Sequence, residues 1–261
     1  MVMTRNVLIA LTSAAVISFA VGCGASSTSN ANISSTPNPT TSASAVASAA
    51  SGQPSPGAGV QSACAVLRGT VDADQSCHVH SATATYTLDF RFPFDYPDQQ
   101  ALADALIQQR DGFVDWVGKA VPRPFPYELS VVGKAYHSGT PASGTQSLVL
   151  DIGSDTGVHP VGTYKALNYD LGKHAPITFD TLFKPGAQPL DMLNPIVQRE
   201  LDKHGGTGTL SLNDLGVKAY RNFAITDDAV IFFFNQDGLL PHEDGPLKVD
   251  VPRTDIASLL A

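Results

Sequence analysis

Cys23 is the first residue of this chain whose type and setting point to a chemical event. It closes an apolar run, Val7 to Val21, that follows the lone cation Arg5. The run is short and rich in Ala and Ser, a poor bilayer span but a suitable h-region for an export signal. Ala20-Val21-Gly22-Cys23 reads as a lipobox, in which small residues lead to a thiol that is acylated before the chain is cut in front of it. This predicts a signal peptide over residues 1–22, a mature start at Cys23 carrying a diacylglycerol-type lipid, and an anchored place on the outer face of the cytoplasmic membrane. Each buried CH₂ contributes about 0.8 kcal/mol, so several acyl chains hold firmly where one would only dwell. The alternative is an ordinary secretory signal with an incidental cysteine, since Ala20 stands where Leu is commoner.

The other two cysteines, Cys64 and Cys77, are left to each other in a compartment where thiols oxidise. A bridge between them would contribute about 3 kcal/mol by the chain-entropy estimate and pin the start of the folded region to the strand that follows. A reactive thiol or a metal ligand is the other option. No cofactor motif is present, and none is expected.

Ester chemistry needs an activated serine, a base and an oxyanion hole. The nucleophile-elbow pattern G-x-S-x-G is missing from the folded region, as is S-x-x-K. Ser143-Gly144 and Gly153-Ser154-Asp155 fall in expected turns, so the catalytic residues stay unknown, although a triad can be assembled by the fold alone. His78-Val79-His80 would set two imidazoles on one face of a strand, but a third ligand at fixed spacing is missing. His137, His159, His174, His204 and His242 are scattered. All are read as solvent-facing or hydrogen-bonded, and no metal is expected. In the loop Gln236 to Asp244, Leu239, Leu240, Pro241 and His242 either tuck beneath a sheet or, if exposed, form a partner-contact patch.

These groups need a scaffold. Gly24 to Ala63 carries no charge and no aromatic ring, and is built almost wholly of Ser, Thr, Ala, Pro, Gly and Asn. It cannot bury enough apolar surface to offset its ordering entropy, so residues 23–63 read as a disordered tether with a span of roughly 35 Å. Residues 64–261 read as one domain. With Arg5 set aside, that domain holds 15 of the 16 basic side chains and all 24 acidic ones. An acidic domain is repelled by nucleic acid and by anionic headgroups, so no nucleic-acid partner is expected.

Period-two alternation predicts strands at His78–Phe92, Tyr127–His137, Gln146–Ile152, Thr163–Tyr169, Phe223–Thr226, Val230–Phe234 and Leu247–Val251. Helical spacing predicts one helix that starts in Asp95-Tyr96-Pro97-Asp98 and reaches about Ala120 and another over Leu190–His204, with Thr254 or Asp255 capping a short terminal one. Phe232-Phe233-Phe234 reads as a central strand covered on both faces. The pattern is α+β, with small antiparallel sheets made of hairpins and two main helices packed on them.

Nine strings carry a resemblance. YPDQ (Tyr96 to Gln99), PYEL (Pro126 to Leu129), TYKA (Thr163 to Ala166), PITFDTLF (Pro176 to Phe183) and PIVQ-EL (Pro195 to Leu201) come first. NFAIT (Asn222 to Thr226), VIFFFN (Val230 to Asn235), LLP (Leu239 to Pro241) and VPR (Val251 to Arg253) follow in order. From Cys64 to Ala261 the chain resembles the mycobacterial secreted immunogenic proteins of the MPT antigen series. Its C-terminal half, about 176–261, is also similar to the extracellular domain of the anti-sigma factor RsiV, whose role is to bind lysozyme. The resemblance implies an α+β domain displayed outside the cell and no agreed catalytic residues, with esterase activity attributed to some mycobacterial relatives. It implies a binding protein of the envelope that engages a lysozyme-like or host protein or an envelope component, with a cell-wall esterase of short acyl esters as the alternative.

Overall fold

A computed structural model describes residues 61–157, 159–203, 211–235 and 245–261. The first turn, α1 (Ala63–Val66), leads into β1 (Thr70–Val71), β2 (Ser76–Ala82) and β3 (Tyr86–Pro93). The single strand expected over His78–Phe92 is therefore two. Thr83 hides the turn between them: its hydroxyl accepts the Tyr86 N–H at 2.9 Å, while its own N–H donates to the Tyr86 carbonyl at 2.8 Å. A threonine turn of this kind needs neither Gly nor Pro.

Helix α2 (Gln99–Val117) starts where Asp98 Oδ1 accepts the Ala101 N–H. It buries Leu102, Leu106, Phe113 and Val117 on the sheet. Gln99 ties it to α1 by accepting the Ala63 N–H and donating to the Phe94 and Tyr96 carbonyls. Strands β4 (Tyr127–Ser138), β5 (Thr145–Asp155), β6 (Pro160–Asp170) and β7 (Ala175–Pro176) follow. The order is β1 through β7 in sequence, more than the four runs read between His78 and Tyr169, since the first run is two strands and two-residue strands close both edges. All neighbours are antiparallel except β3 and β4, which run parallel because α2 crosses between them. The α+β class holds, with a larger and mixed first sheet.

Beyond α3 (Phe179–Leu182), α4 (Pro189–Lys203), α5 (Leu212–Leu215) and a 3-10 turn (Gly216–Tyr220) lies a second sheet of β8 (Phe223–Ile225), β9 (Ala229–Phe234) and β10 (Leu247–Pro252), with β9 central. The terminal α6 (Arg253–Ile256) begins at Pro252 and not at Thr254 or Asp255. Pro252 offers no side-chain cap, and the first helical N–H, that of Arg253, donates instead to the Asp228 carbonyl at 2.8 Å.

Period two then sorts the side chains into layers. Phe90, Phe92, Val131, Leu148 and Leu150 face α1 and α2. Val149, with Tyr136, Tyr164 and Ala166, meets Ala224, Ile231 and Phe233 of the second sheet. Phe232 and Phe234 turn the other way, into a core with Leu193, Val197 and Tyr220. The phenylalanine run is thus covered on both faces. Polar staples fix the two sheets together. Asn222 Oδ1 accepts the Ala166 N–H, Asn222 Nδ2 donates to the Tyr164 carbonyl, and Asn235 Oδ1 accepts the Tyr164 N–H. Buried Ser147 accepts the Ile225 N–H at 3.0 Å. These amides occupy the stretch of β6 edge that β7 is too short to pair.

Candidate functional site

Cys64 and Cys77 are joined, with their Cα atoms 5.7 Å apart. Cys23 and the patch Leu239, Leu240, Pro241 and His242 lie outside the described residues, as does His204. Chemistry-bearing groups converge elsewhere, in two places.

The first is a cleft of about 460 Å³ bounded by the β4–β5 turn, the β6–β7 turn, the start of α6 and the final residues Leu260 and Ala261. Chain geometry at Gly139 and Gly144 makes the first turn. Gly139 has φ +73°, and a Cβ on Gly144 would run into the Ser138 carbonyl. Arg253 Nη1 donates to Ser138 Oγ at 2.9 Å and to the Thr226 carbonyl at 3.2 Å. Asp227 Oδ1 accepts the Gly139 N–H at 2.7 Å. That amide, together with the Ser138 hydroxyl and the charge of Arg253, holds the Asp227 carboxyl below its ordinary value. On the opposite rim Asp170 accepts the Lys173 N–H at 2.8 Å, with Lys173 Nζ at 3.4 Å. The two turns clasp through the Leu171 N–H, which donates to the Gly144 carbonyl. Ile177, Leu182, Ile225, Val230 and Leu260 supply apolar wall.

A cleft of this make accepts a group with an apolar body and a polar or anionic head near Arg253. Its serines are already engaged: Ser143 Oγ lies 2.9 Å from Thr140 Oγ1, and Ser138 sits between Arg253 and Asp227. Ser143-Gly144 is in the expected turn. Gly153-Ser154-Asp155 is not; it belongs to β5, where Ser154 pairs with Val161 of β6.

The second place is the outer face of the β2–β3 hairpin. His78 and His80 point the same way, as period two requires, and both reach one carboxylate oxygen. Asp89 Oδ2 is 3.3 Å from His78 Nε2 and 3.3 Å from His80 Nδ1. A third side chain with ligating chemistry joins them, not at a fixed spacing along β2 but from the next strand, where Asp89 is the register partner of His80. Burial works against the Asp89 charge, but the hydrogen bonds and partial charge of the two imidazoles outweigh it and hold the carboxyl low. His137 and His174 are exposed and separate from this group.

The fold is shared with solved structures. A DUF3298 family protein from Bacteroides fragilis superposes with a TM-score of 0.51 at 14% identity, over 71% of this chain and 92% of that one. One from Pseudomonas aeruginosa gives 0.51 at 11%, over 75% and 96%. The family model described as "Protein of unknown function (DUF3298)" matches residues 180–254, the segment that forms the second sheet and its helices. Fold and match together define the class as a two-sheet α+β domain carrying a DUF3298 segment.

Closer relatives narrow it. The chain is 48% identical over 200 residues to "Esterase Rv3036c" of Mycobacterium tuberculosis, covering 76% of this chain and 88% of the relative. It is 41% identical over 201 residues, with the same coverage, to "Immunogenic protein MPT64" of Mycobacterium tuberculosis and "Immunogenic protein MPB64" of Mycobacterium bovis. The chain belongs to the family of these mycobacterial proteins. Among the described residues, no helix is long and apolar enough to cross a membrane.

Proposed function

We propose that this chain is an exported, lipid-anchored binding protein of the cell envelope, held by acylated Cys23 on a tether over residues 23–63 that ends in the domain 64–261. Export is supported by the signal-like start and by the Cys64–Cys77 bridge, a linkage that persists in oxidising compartments. What favours binding over catalysis is the weakness of the bases in the cleft: the Asp227 carboxyl beside Ser138 is held below its ordinary value by the Gly139 N–H, and Ser143 faces only the Thr140 hydroxyl. The partner is a cationic protein of the lysozyme or host-protein kind, or an envelope component. The acidic balance of the domain would steer a cationic partner toward it. Leu239, Leu240, Pro241 and His242 join the proposal as contact residues.

A second reading has its own support, the esterase name of the 48% identical relative. Ester hydrolysis here would use Ser138 as nucleophile, Asp227 as proton acceptor and Arg253 beside the developing charge. A p-nitrophenyl ester panel separates the two. The binding reading expects only background release, unchanged in Ser138→Ala and Ser143→Ala, together with retention of a partner from envelope extract or host fluid. Turnover abolished by either serine substitution would install the esterase reading in its place.

A further inference from the structure

We propose that His78, His80 and Asp89 form a binding site for a divalent transition-metal ion of the zinc class, on the open face of the β2–β3 hairpin. The three candidate ligand atoms lie within 4.8 Å of one another. Zn–N and Zn–O bonds of about 2.0–2.1 Å place neighbouring tetrahedral ligands ~3.3 Å apart. Both imidazole nitrogens stand 3.3 Å from Asp89 Oδ2, which matches that edge. Without a metal the same spacing makes both imidazoles long hydrogen-bond partners of one oxygen, at the edge of the usual range of about 2.7–3.2 Å.

The ligands sit on strands, where backbone geometry is fixed, and not on a loop. Cys77, next to His78, is tied to Cys64, and Gly69 packs so close to β2 that a Cβ there would lie 2.6 Å from Cys77 Sγ and 2.8 Å from Val79. The register sets Asp89 directly opposite His80 and leaves His78 on the diagonal. Arg91, opposite His78, turns toward Asp72, whose Oδ2 is 4.0 Å from its guanidinium. Two imidazoles and one carboxylate prefer zinc, copper or nickel to the oxygen-seeking calcium and magnesium. The side chains are 31%, 53% and 53% exposed, so a fourth position faces solvent and would hold water or an outside ligand. None of these residues lines the cleft, and the inference stands apart from the function proposed above.

The test is calorimetric titration of the untagged, folded protein with zinc chloride, paired with NMR of the imidazole resonances. One ion should bind per chain, shifting His78 and His80 and leaving His137 and His174 unmoved. Outer partners of metal ligands are worth 10–100-fold in affinity, so losing a ligand in His80→Gln or Asp89→Asn should weaken binding at least about tenfold. His137→Gln should not. All three residues are surface groups, and the folded state of each variant is checked by its unfolding midpoint. No heat of binding, or binding that survives both His80→Gln and Asp89→Asn, overturns the proposal. Zinc held instead through His137 or His174 would do the same.

Discussion

One face of the seven-stranded sheet meets two different fates. Over β4 to β6 it is roofed by the second sheet, and the groups beneath are mostly apolar, such as Val149, or paired across to that sheet, such as Ser147 and the Nδ2 of Asn168. Over β2 and β3 it is bare, and period two delivers His78, His80, Asp89 and Arg91 to solvent, with Val132 57% exposed beside them. The backbone pattern is the same in both. What differs is whether a strand edge and an amide staple bring a partner over it, which teaches that burial here was decided by long-range pairing and not by local alternation.

The covered half should therefore be costly to disturb. Phe232→Ala empties a fully buried site packed on Tyr220 and Phe223, and should cost about 3–5 kcal/mol in urea unfolding. Cys77→Ala should lose about 3 kcal/mol against the oxidised protein, an effect that vanishes when both are measured with reductant. Asn222→Ala leaves the Ala166 N–H and the Tyr164 carbonyl without their partners, for about 2 kcal/mol. If Asn222→Ala were as mild as a surface change, the stapled roof would not be what separates the halves. On the bare half, Asp89→Asn should move stability by no more than about 0.5 kcal/mol. A large loss there would mean the hairpin face is structural after all.

The smallest effect is a pH dependence. Asp227, through the Gly139 N–H first, and Asp170, through the Lys173 N–H first, both titrate below the ordinary 3.8. Between folded and unfolded values the unfolded chain binds more protons, so the stability these groups lend is full above about 3.8 and lost as pH falls through their folded values. Asp227→Asn should flatten the acid limb of the stability profile in that window. An unchanged limb would detach Asp227 from the turn it closes.

Much of this scaffold was legible because it is periodic. The alternation of Tyr86 to Phe92, the helical stripe from Leu102 to Val117 and the Phe223–Phe234 hairpin all appear where their patterns place them. Among the described residues, several strings that carry the family resemblance turn out to be scaffold as well, while Arg253 of VPR lines the cleft. Tyr164, Ala166, Asn222 and Asn235 are staple residues, and Phe232 and Phe234 are core. Sites were harder to read because they join distant segments. Ser138 meets Arg253 across 115 residues of chain, and Asp89 meets His80 only through a turn that Thr83 closes without a glycine. No spacing rule reaches such pairs; they follow from register, which the sequence pattern leaves open at β3 and β4, where the pairing is parallel.

The proposed placement of the bare face and the cleft at the envelope rests on acylation of Cys23. Intact mass spectrometry of the chain recovered from a cell-envelope fraction tests this directly. The chain should begin at Cys23, carry the added mass of acyl lipid and leave membranes only with detergent, the result that the proposed lipid anchor requires. A chain that begins elsewhere, or one with an unmodified Cys23 thiol in the soluble fraction, would contradict it.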